Sequence, residues 1–179
     1  MKATGIIRKI DDLGRIVIPK EIRRTMRIRE GDPLEIYTNH DGEVIFKKYS
    51  LLEGIEDCAG DLCDALNRST GGMCIVTDRD MVIAVAGGGK RDLLDRRISR
   101  ELEQLLDRRT TYRCDAGTAS VPVTDSTDKY TVLAASPVLS EGDLVGSVLL
   151  AGTEQVPAQE VDCKLIETFA AFLGRHLAE

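Results

Sequence analysis

The hydrophobic rhythm of this chain changes near residue 50. Before that point apolar residues come in short strand-like runs broken by turn signals. "GIIRKI", Gly5 to Ile10, and "RIVI", Arg15 to Ile18, predict two strands flanking the turn "DDLG", Asp11 to Gly14. Pro19 has no N–H to donate, so it ends strand pairing and suits a helix start. "KEIRRTMR" predicts about two helical turns, with Ile22 and Met26 on one face and Arg23 and Arg24 elsewhere. "REGD" turns the chain again. "PLEIYTN" and "EVIFKK" then alternate around the Asp-Gly signal of "HDG". The head, residues 1–50, therefore reads as strand–strand–helix–strand–strand.

Beyond it the periods lengthen. Leu52, Ile55, Ala59, Leu62, Cys63 and Leu66 recur at helical spacing, and "STGG" ends that helix. "YSLLEG" is a short connection, poor in Gly and Ser, which predicts helical coupling rather than a floppy tether. "MCIVTD" and "MVIAVAG" predict a hairpin. Ile98, Leu102, Leu105 and Leu106 mark a helix entered through "RISRE". Three strands follow, "TASVPVT", "YTVLAASPVL" and "DLVGSVLLAG", the last two joined at "SEGD". "VPAQEVDCKLIETFAAFLGRHLAE" predicts a terminal helix. Residues 51–179 thus read as an α+β unit, an antiparallel sheet flanked by helices. On the terminal helix Val161, Leu165, Ile166, Phe169, Ala170, Phe172, Leu173 and Leu177 cover more than one stripe. One face can pack on the sheet and the other on a second chain, in a four-helix arrangement.

The head is too small to bury much surface alone. It nevertheless carries Ile6, Ile7, Ile10, Ile16, Val17 and Ile18 on both sides of its strands, with Ile16, Val17, Ile22 and Met26 expected in its core. Its short helix covers one face. A second copy is the simplest cover for the other, which predicts an obligate two-fold dimer. Such a surface matches the pseudo-two-fold of duplex DNA.

Charge sharpens that expectation. The chain of 179 residues has a formal net charge of -6. Residues 1–50 hold 11 Lys and Arg against 8 Asp and Glu, and residues 1–29 hold nine against three. The remainder is net −9 (13 basic, 22 acidic). A basic head on an acidic body points to a polyanion at the head. The head has no reader helix of helix-turn-helix length and lacks stacking aromatics, so duplex is expected over single strands, with DNA shape read more than base edges. No run is long and apolar enough to span a bilayer, and charges fill the place of a signal peptide's apolar stretch, so a cytoplasmic protein is expected, with no membrane partner.

The stretch "TGIIRKIDDLGRIVIPKEIRRTMRIREGDPLEIYTNHDGEVIFKKY" resembles the swapped-hairpin DNA-binding domain of the AbrB family of bacterial transition-state regulators. That resemblance implies two chains interleaving their hairpins into one β-barrel dimer. It implies DNA contacts from Arg8, Arg15, Arg23 and Arg24, helped by Lys2 and Lys9. Lys20 is the weakest of the local lysines for this role. Guanidinium groups suit it, being bidentate on phosphate and able to reach guanine edges.

The remaining residues are similar to a GAF domain. An AbrB-type head before a GAF-like body resembles the stage V sporulation protein T family. This implies a sequence-selective, homo-oligomeric activator or repressor of sporulation genes, with a tetramer built through the C-terminal helices, in the developing spore. Two readings of the body stay open: an unknown small-molecule effector beside "GGGKRDLLDRR" and "YRCDAGTAS", or assembly alone.

Other chemistry finds little support. "AGGGK" lacks the Walker pattern, which needs Gly at Ala84 and Ser or Thr at Arg91. His40 and His176 show no ligand spacing. Five cysteines in odd number and without CxxC predict reduced thiols, no metal and no cofactor. Some GAF proteins reduce methionine sulfoxide, and Cys74 and Cys114 are the pair expected within reach of each other. Related heads also occur in antitoxins. These are the two alternatives to a non-enzymatic regulator.

Overall fold

The structure is a computed structural model that describes residues 5–50, 52 and 56–178. The chain divides into two compact units, Met1–Tyr49 and Ser50–Glu179. The fold is α+β.

In the head, α1 spans Lys20–Thr25 and the hairpin β1 (Leu34–Thr38) and β2 (Val44–Lys48) pairs in register from Leu34↔Lys48 to Thr38↔Val44. Asn39 closes the hairpin turn, its Oδ1 accepting from the N–H groups of Asp41 and Glu43. α1 starts after Pro19, whose carbonyl accepts from the Arg23 N–H at 2.9 Å. It ends with Arg27 in the left-handed region (φ 51). There Ile28 N–H bonds Arg23 O and Arg27 N–H bonds Arg24 O, a paired closure of the last carbonyls.

The two strands expected at Gly5–Ile10 and Arg15–Ile18 do not form within this chain. Those residues have no regular structure and flank a real turn, with Asp11 N–H bonded to Arg15 O and Gly14 N–H to Asp11 O. A strand exists only when a neighbour takes up its N–H and C=O groups. No described residue from 5 to 49 is buried. Ile7 is 89% exposed and Val17 70%. Ile16, Ile22 and Met26, expected in the core, are exposed or only half-covered. A single copy of the head thus has no closed core.

The body is the opposite case. Its sheet runs β4-β3-β8-β7-β5, every neighbouring pair antiparallel, with β6 also on β7. The strands are β3 (Met73–Asp78), β4 (Val82–Ala86), β5 (Tyr112–Arg113), β6 (Pro122–Thr124), β7 (Thr127–Ser140) and β8 (Asp143–Gly152). The strand period of two divides the apolar residues between two layers. Cys74, Val76, Val148 and Leu150 face α2 (Glu56–Thr70) and α5 (Glu160–His176), where Leu62, Leu66, Ile166 and Leu173 meet them. Ile75, Leu149 and Ala151 face the other way, towards Leu93 of α3 (Lys90–Leu93) and Leu102 and Leu106 of α4 (Arg100–Leu106).

α4 begins where "RISRE" predicts. Ser99 caps it, accepting from Leu102 N–H at 3.0 Å while donating to Pro122 O at 2.6 Å. The terminal helix starts at Glu160 rather than Val156, since Pro157 and the extended Gln159 lie before it. Leu52, expected on α2, is fully buried but lies before that helix; Ile55 falls outside the described residues. The short α3 and β5 carry too few residues for any period to register. Among the described residues no helix is long and apolar enough to cross a membrane.

Candidate nucleic-acid interface

The expected DNA-facing cations are Lys2, Arg8, Lys9, Arg15, Arg23 and Arg24. Lys2 lies outside the described residues. The other five are exposed. Their local settings differ.

Arg15 is held. Asp11 Oδ1 accepts from the Leu13 N–H at 3.0 Å and the Arg15 N–H at 2.8 Å, and its Oδ2 accepts from Arg15 Nε at 2.8 Å. The hydrogen bonds from Arg15, backbone first and then side chain, hold the Asp11 carboxyl below its ordinary value. One carboxylate thus fixes both the turn and the root of the guanidinium. Arg15 has five N–H donors, so its terminal amino groups stay uncommitted to Asp11. The turn was legible in "DDLG"; this triple role of Asp11 was not.

Arg23 and Arg24 occupy the last turn of α1, and Arg8 and Lys9 the segment before the turn. Among the described residues no carboxylate pairs with Arg8, Lys9, Arg23 or Arg24. The basic residues that follow behave differently. Lys48 Nζ donates to Arg27 O at 3.1 Å and lies 3.4 Å from Asp32, whose side chain is almost fully covered. Asp32 Oδ2 also accepts from the Arg29 N–H at 2.8 Å. Lys48 therefore ties the end of β2 to the exit of α1. The head's positive charge separates into a structural knot around Lys48, an arginine (Arg15) rooted on Asp11, and a set of exposed cations without a carboxylate, Arg8, Lys9, Arg23 and Arg24.

The thiols do not assemble into a redox pair. Cys74 lies on β3, and Cys114 directly follows β5 with its N–H on Leu133 O. β8 and β7 run between those strands. Three strand spacings put the two cysteines roughly 14 Å apart, far beyond disulfide reach. The expectation that they approach each other is corrected by this strand order. Burial pushes the Cys63 thiol up to about 12 and the Cys74 thiol up to about 11, away from the reactive thiolate. Cys114 is buried and receives the Gln155 side-chain N–H at 3.2 Å. The same amide donates to Thr118 O at 2.7 Å, pinning the loop after β5. In "AGGGK", Gly87, Gly88 and Gly89 all have positive φ, and a Cβ on Gly87 would meet the Asn67 amide nitrogen at 2.5 Å and Gly72 O at 2.8 Å. That loop is packed on α2 and its exit, not shaped as a phosphate cradle.

Comparison with known proteins adds to this geometry. Residues 54–178 match the family described as stage V sporulation protein T C-terminal, transcription factor. Residues 7–51 match the family described as antidote-toxin recognition MazE, bacterial antitoxin. Stage V sporulation protein T of Bacillus subtilis (strain 168) is 46% identical over 183 residues, covering 100% of both chains. Transition state regulatory protein AbrB of the same organism is 61% identical over 49 residues, 27% of this chain and 50% of that one. Among solved structures, the GAF domain of a phosphoenolpyruvate-protein phosphotransferase from Coxiella burnetii has a TM-score of 0.55 at 16% identity, covering 69% of this chain and 82% of its own. A type II free methionine-R-sulfoxide reductase from Thermoplasma acidophilum has a TM-score of 0.54 at 10% identity, covering 72% and 95%. At such identities these two likenesses concern the fold of the body alone.

Proposed function

The chain belongs to the stage V sporulation protein T family of sporulation transcription factors, and on that premise we propose that it binds duplex DNA as a homo-oligomer through Lys2, Arg8, Lys9, Arg15, Arg23 and Arg24. The observation that carries this reading is that Arg8, Lys9, Arg23 and Arg24 are exposed and left without a carboxylate, in a chain whose net charge is -6. Each phosphate they neutralise releases counterions, so affinity falls steeply with salt. Arg15, rooted by Asp11, is preorganised for bidentate contact.

Head pairing follows from the absence of buried residues between 5 and 49. A second copy covers the exposed Ile7, Ile10, Ile16 and Val17, giving the swapped-hairpin barrel. Higher assembly uses α5, where Val161 is 67% and Phe172 54% exposed on the side away from the sheet. These features support a tetramer. The protein acts in the cytoplasm, by occupancy of promoter DNA.

A small-molecule effector would act through this assembly. A compound that stabilises the body must then change DNA affinity of the full chain by linkage; stabilisation without that change leaves the body as a clamp. The match of residues 7–51 to an antitoxin family favours a second reading, toxin binding. Here the rest of the chain is a folded α+β unit and not an unstructured tail, and copurification of a toxin is the result that would favour that reading. The decisive experiment is a salt-dependent titration of promoter duplex with wild type and Arg23→Ala/Arg24→Ala. The variant should bind more weakly with a shallower salt slope; equal slopes and affinities at unchanged stability would remove these arginines from the interface.

A further inference from the structure

The body's positive charge is as unevenly placed as the head's. Of its 13 basic residues, eight fall within residues 90–113, against five acidic ones. The rest of residues 51–179 carries five basic and 17 acidic residues. Several of the eight are engaged locally. Arg109 donates to Gly142 O at 2.6 Å and faces Asp143 at 3.9 Å. Arg91, Arg96, Arg97 and Arg100 are exposed, and among the described residues none of them forms an ion pair within 4.0 Å, although the charge of Arg96 helps to lower the Asp92 carboxyl. Asp92, the acidic side chain nearest in sequence to Arg91, is taken up by Tyr130 Oη at 2.7 Å and Lys129 Nζ at 3.3 Å.

The backbone beneath these arginines is fixed from two sides. Towards β4, the Val82 N–H bonds Arg96 O, the Asp95 N–H bonds Val82 O, and the Ile98 N–H bonds Asp80 O. Towards β6, the Ser99 N–H bonds Val123 O and the Asp125 N–H bonds Arg97 O. Leu93 and Ile98 are fully buried. They anchor a segment whose exposed residues are the four arginines together with Asp92, Asp95 and Glu101, and Ser99 caps the helix that carries Arg100. The arginines are thus carried on a fixed backbone. Exposed guanidinium groups spread along a segment suit an extended polyanion better than a small anion, which binds where polar groups converge in a concave site. The Cα atoms of Arg96 and Arg100 are at most about 14 Å apart, a length over which duplex DNA presents about eight phosphates.

We propose that Arg91, Arg96, Arg97 and Arg100 form a second phosphate-contacting surface, by which the body grips duplex DNA in addition to the head. The proposal rests on the DNA-binding reading above. It gives the body a direct part in affinity, not only a part in assembly. Because these contacts go to backbone, they add affinity and length dependence without base specificity.

The test uses the full-length protein and promoter duplexes, one just covering the protected sequence and one extended at both ends. Binding is followed by fluorescence anisotropy between about 50 and 200 mM salt. Arg96→Ala/Arg97→Ala/Arg100→Ala should lower the slope of log affinity against log salt by about 2–3 on the extended duplex. Replacing the same residues by lysine should largely keep the slope, since charge drives this term. Arg91→Glu, on a different exposed element, provides an independent check in the same direction should the triple variant fold poorly. Wild-type slope and affinity in both variants, at unchanged melting temperature, would overturn the proposal. So would a changed sedimentation profile with an unchanged slope, which would assign the segment to contacts between copies. Failure of the wild type to bind any duplex would instead overturn the DNA-binding reading itself.

Discussion

Gly174→Ala sets two effects of known size against each other. Gly174 lies in the last turns of α5, buried against β7. A Cβ there would sit 2.1 Å from Leu139 O and 3.0 Å from Leu139 C, both backbone atoms. Ordinary contact begins near 3.4 Å, so α5 and β7 must separate locally by about 1.3 Å. A helix interior favours alanine over glycine by about 1 kcal/mol. Overpacking a filled core costs about 1–3 kcal/mol, and more where backbone must move. β7 is already irregular between Val138 and Leu139, but it is held by β8 on one side and β5 on the other. The steric effect should win, for a net loss of about 1–2 kcal/mol, or roughly 2–8 °C in Tm for a unit of this size. Differential scanning calorimetry of the full chain measures it. An unchanged or raised Tm would mean that propensity decides and that the helix–strand contact is loose, which would undo the argument. The same experiment bears on function, because shifting α5 moves the face that carries Val161 and Phe172.

Three further outcomes follow from the same contacts. Asp11→Ala should weaken DNA binding although it removes a negative charge from the proposed interface, because Leu13, Arg15 and the turn lose their common acceptor; tighter binding in an anisotropy titration would show that charge alone matters there. Burial, the dominant cause, raises the Asp78 carboxyl above its ordinary value, so its contribution to stability declines as pH rises from the ordinary carboxylate value through the raised one. Asp78→Asn keeps an oxygen for the N–H groups of Asp80 and Met81 (2.7 and 2.6 Å in the native chain); it should be the more stable form at neutral pH, with the advantage vanishing in acid, and equal urea midpoints across that range would contradict this. In the folded protein at mild alkaline pH, half-buried Cys58 should react with a thiol reagent before Cys63 and Cys74, which burial lifts to about 12 and about 11; rapid labelling of all five without unfolding is the opposing result.

The sequence pattern was most readable where a chain satisfies its own hydrogen bonds. The β3–β4 hairpin, the β7–β8 hairpin and α4 with its Ser99 cap all lie where turn signals and periods put them. It misled at Gly5–Ile10 and Arg15–Ile18, whose alternation is a strand's but which form no strand within this chain. The cysteine pair failed for a related reason: strand order, which sets whether Cys74 and Cys114 meet, leaves no mark on local composition. Close approaches at Gly146 and Gly174, where Thr77 O and Leu139 O leave no room for a Cβ, are equally silent in the sequence. The basic residues of the head were visible at once. Their division into the Lys48–Asp32 knot and the unpaired set was not, since it depends on which carboxylate folds under which cation.

The contrast between the two units carries a consequence for control. The body closes two cores around one sheet, so it holds its shape before any partner arrives. The head has no buried residue among positions 5–49, so on the proposed pairing its stability is an association free energy and varies with chain concentration. Joining chains through their bodies turns head pairing into a nearly intramolecular event, with an effective concentration reaching the millimolar range. On that proposal a change at α5, far in sequence from the proposed DNA-contacting residues, alters promoter occupancy by setting how often two heads meet. An effector of the proposed kind would need no path of its own to the head: a modest shift in body assembly would be multiplied at the DNA, because under the proposed pairing each bound head requires a partner to exist as a folded surface.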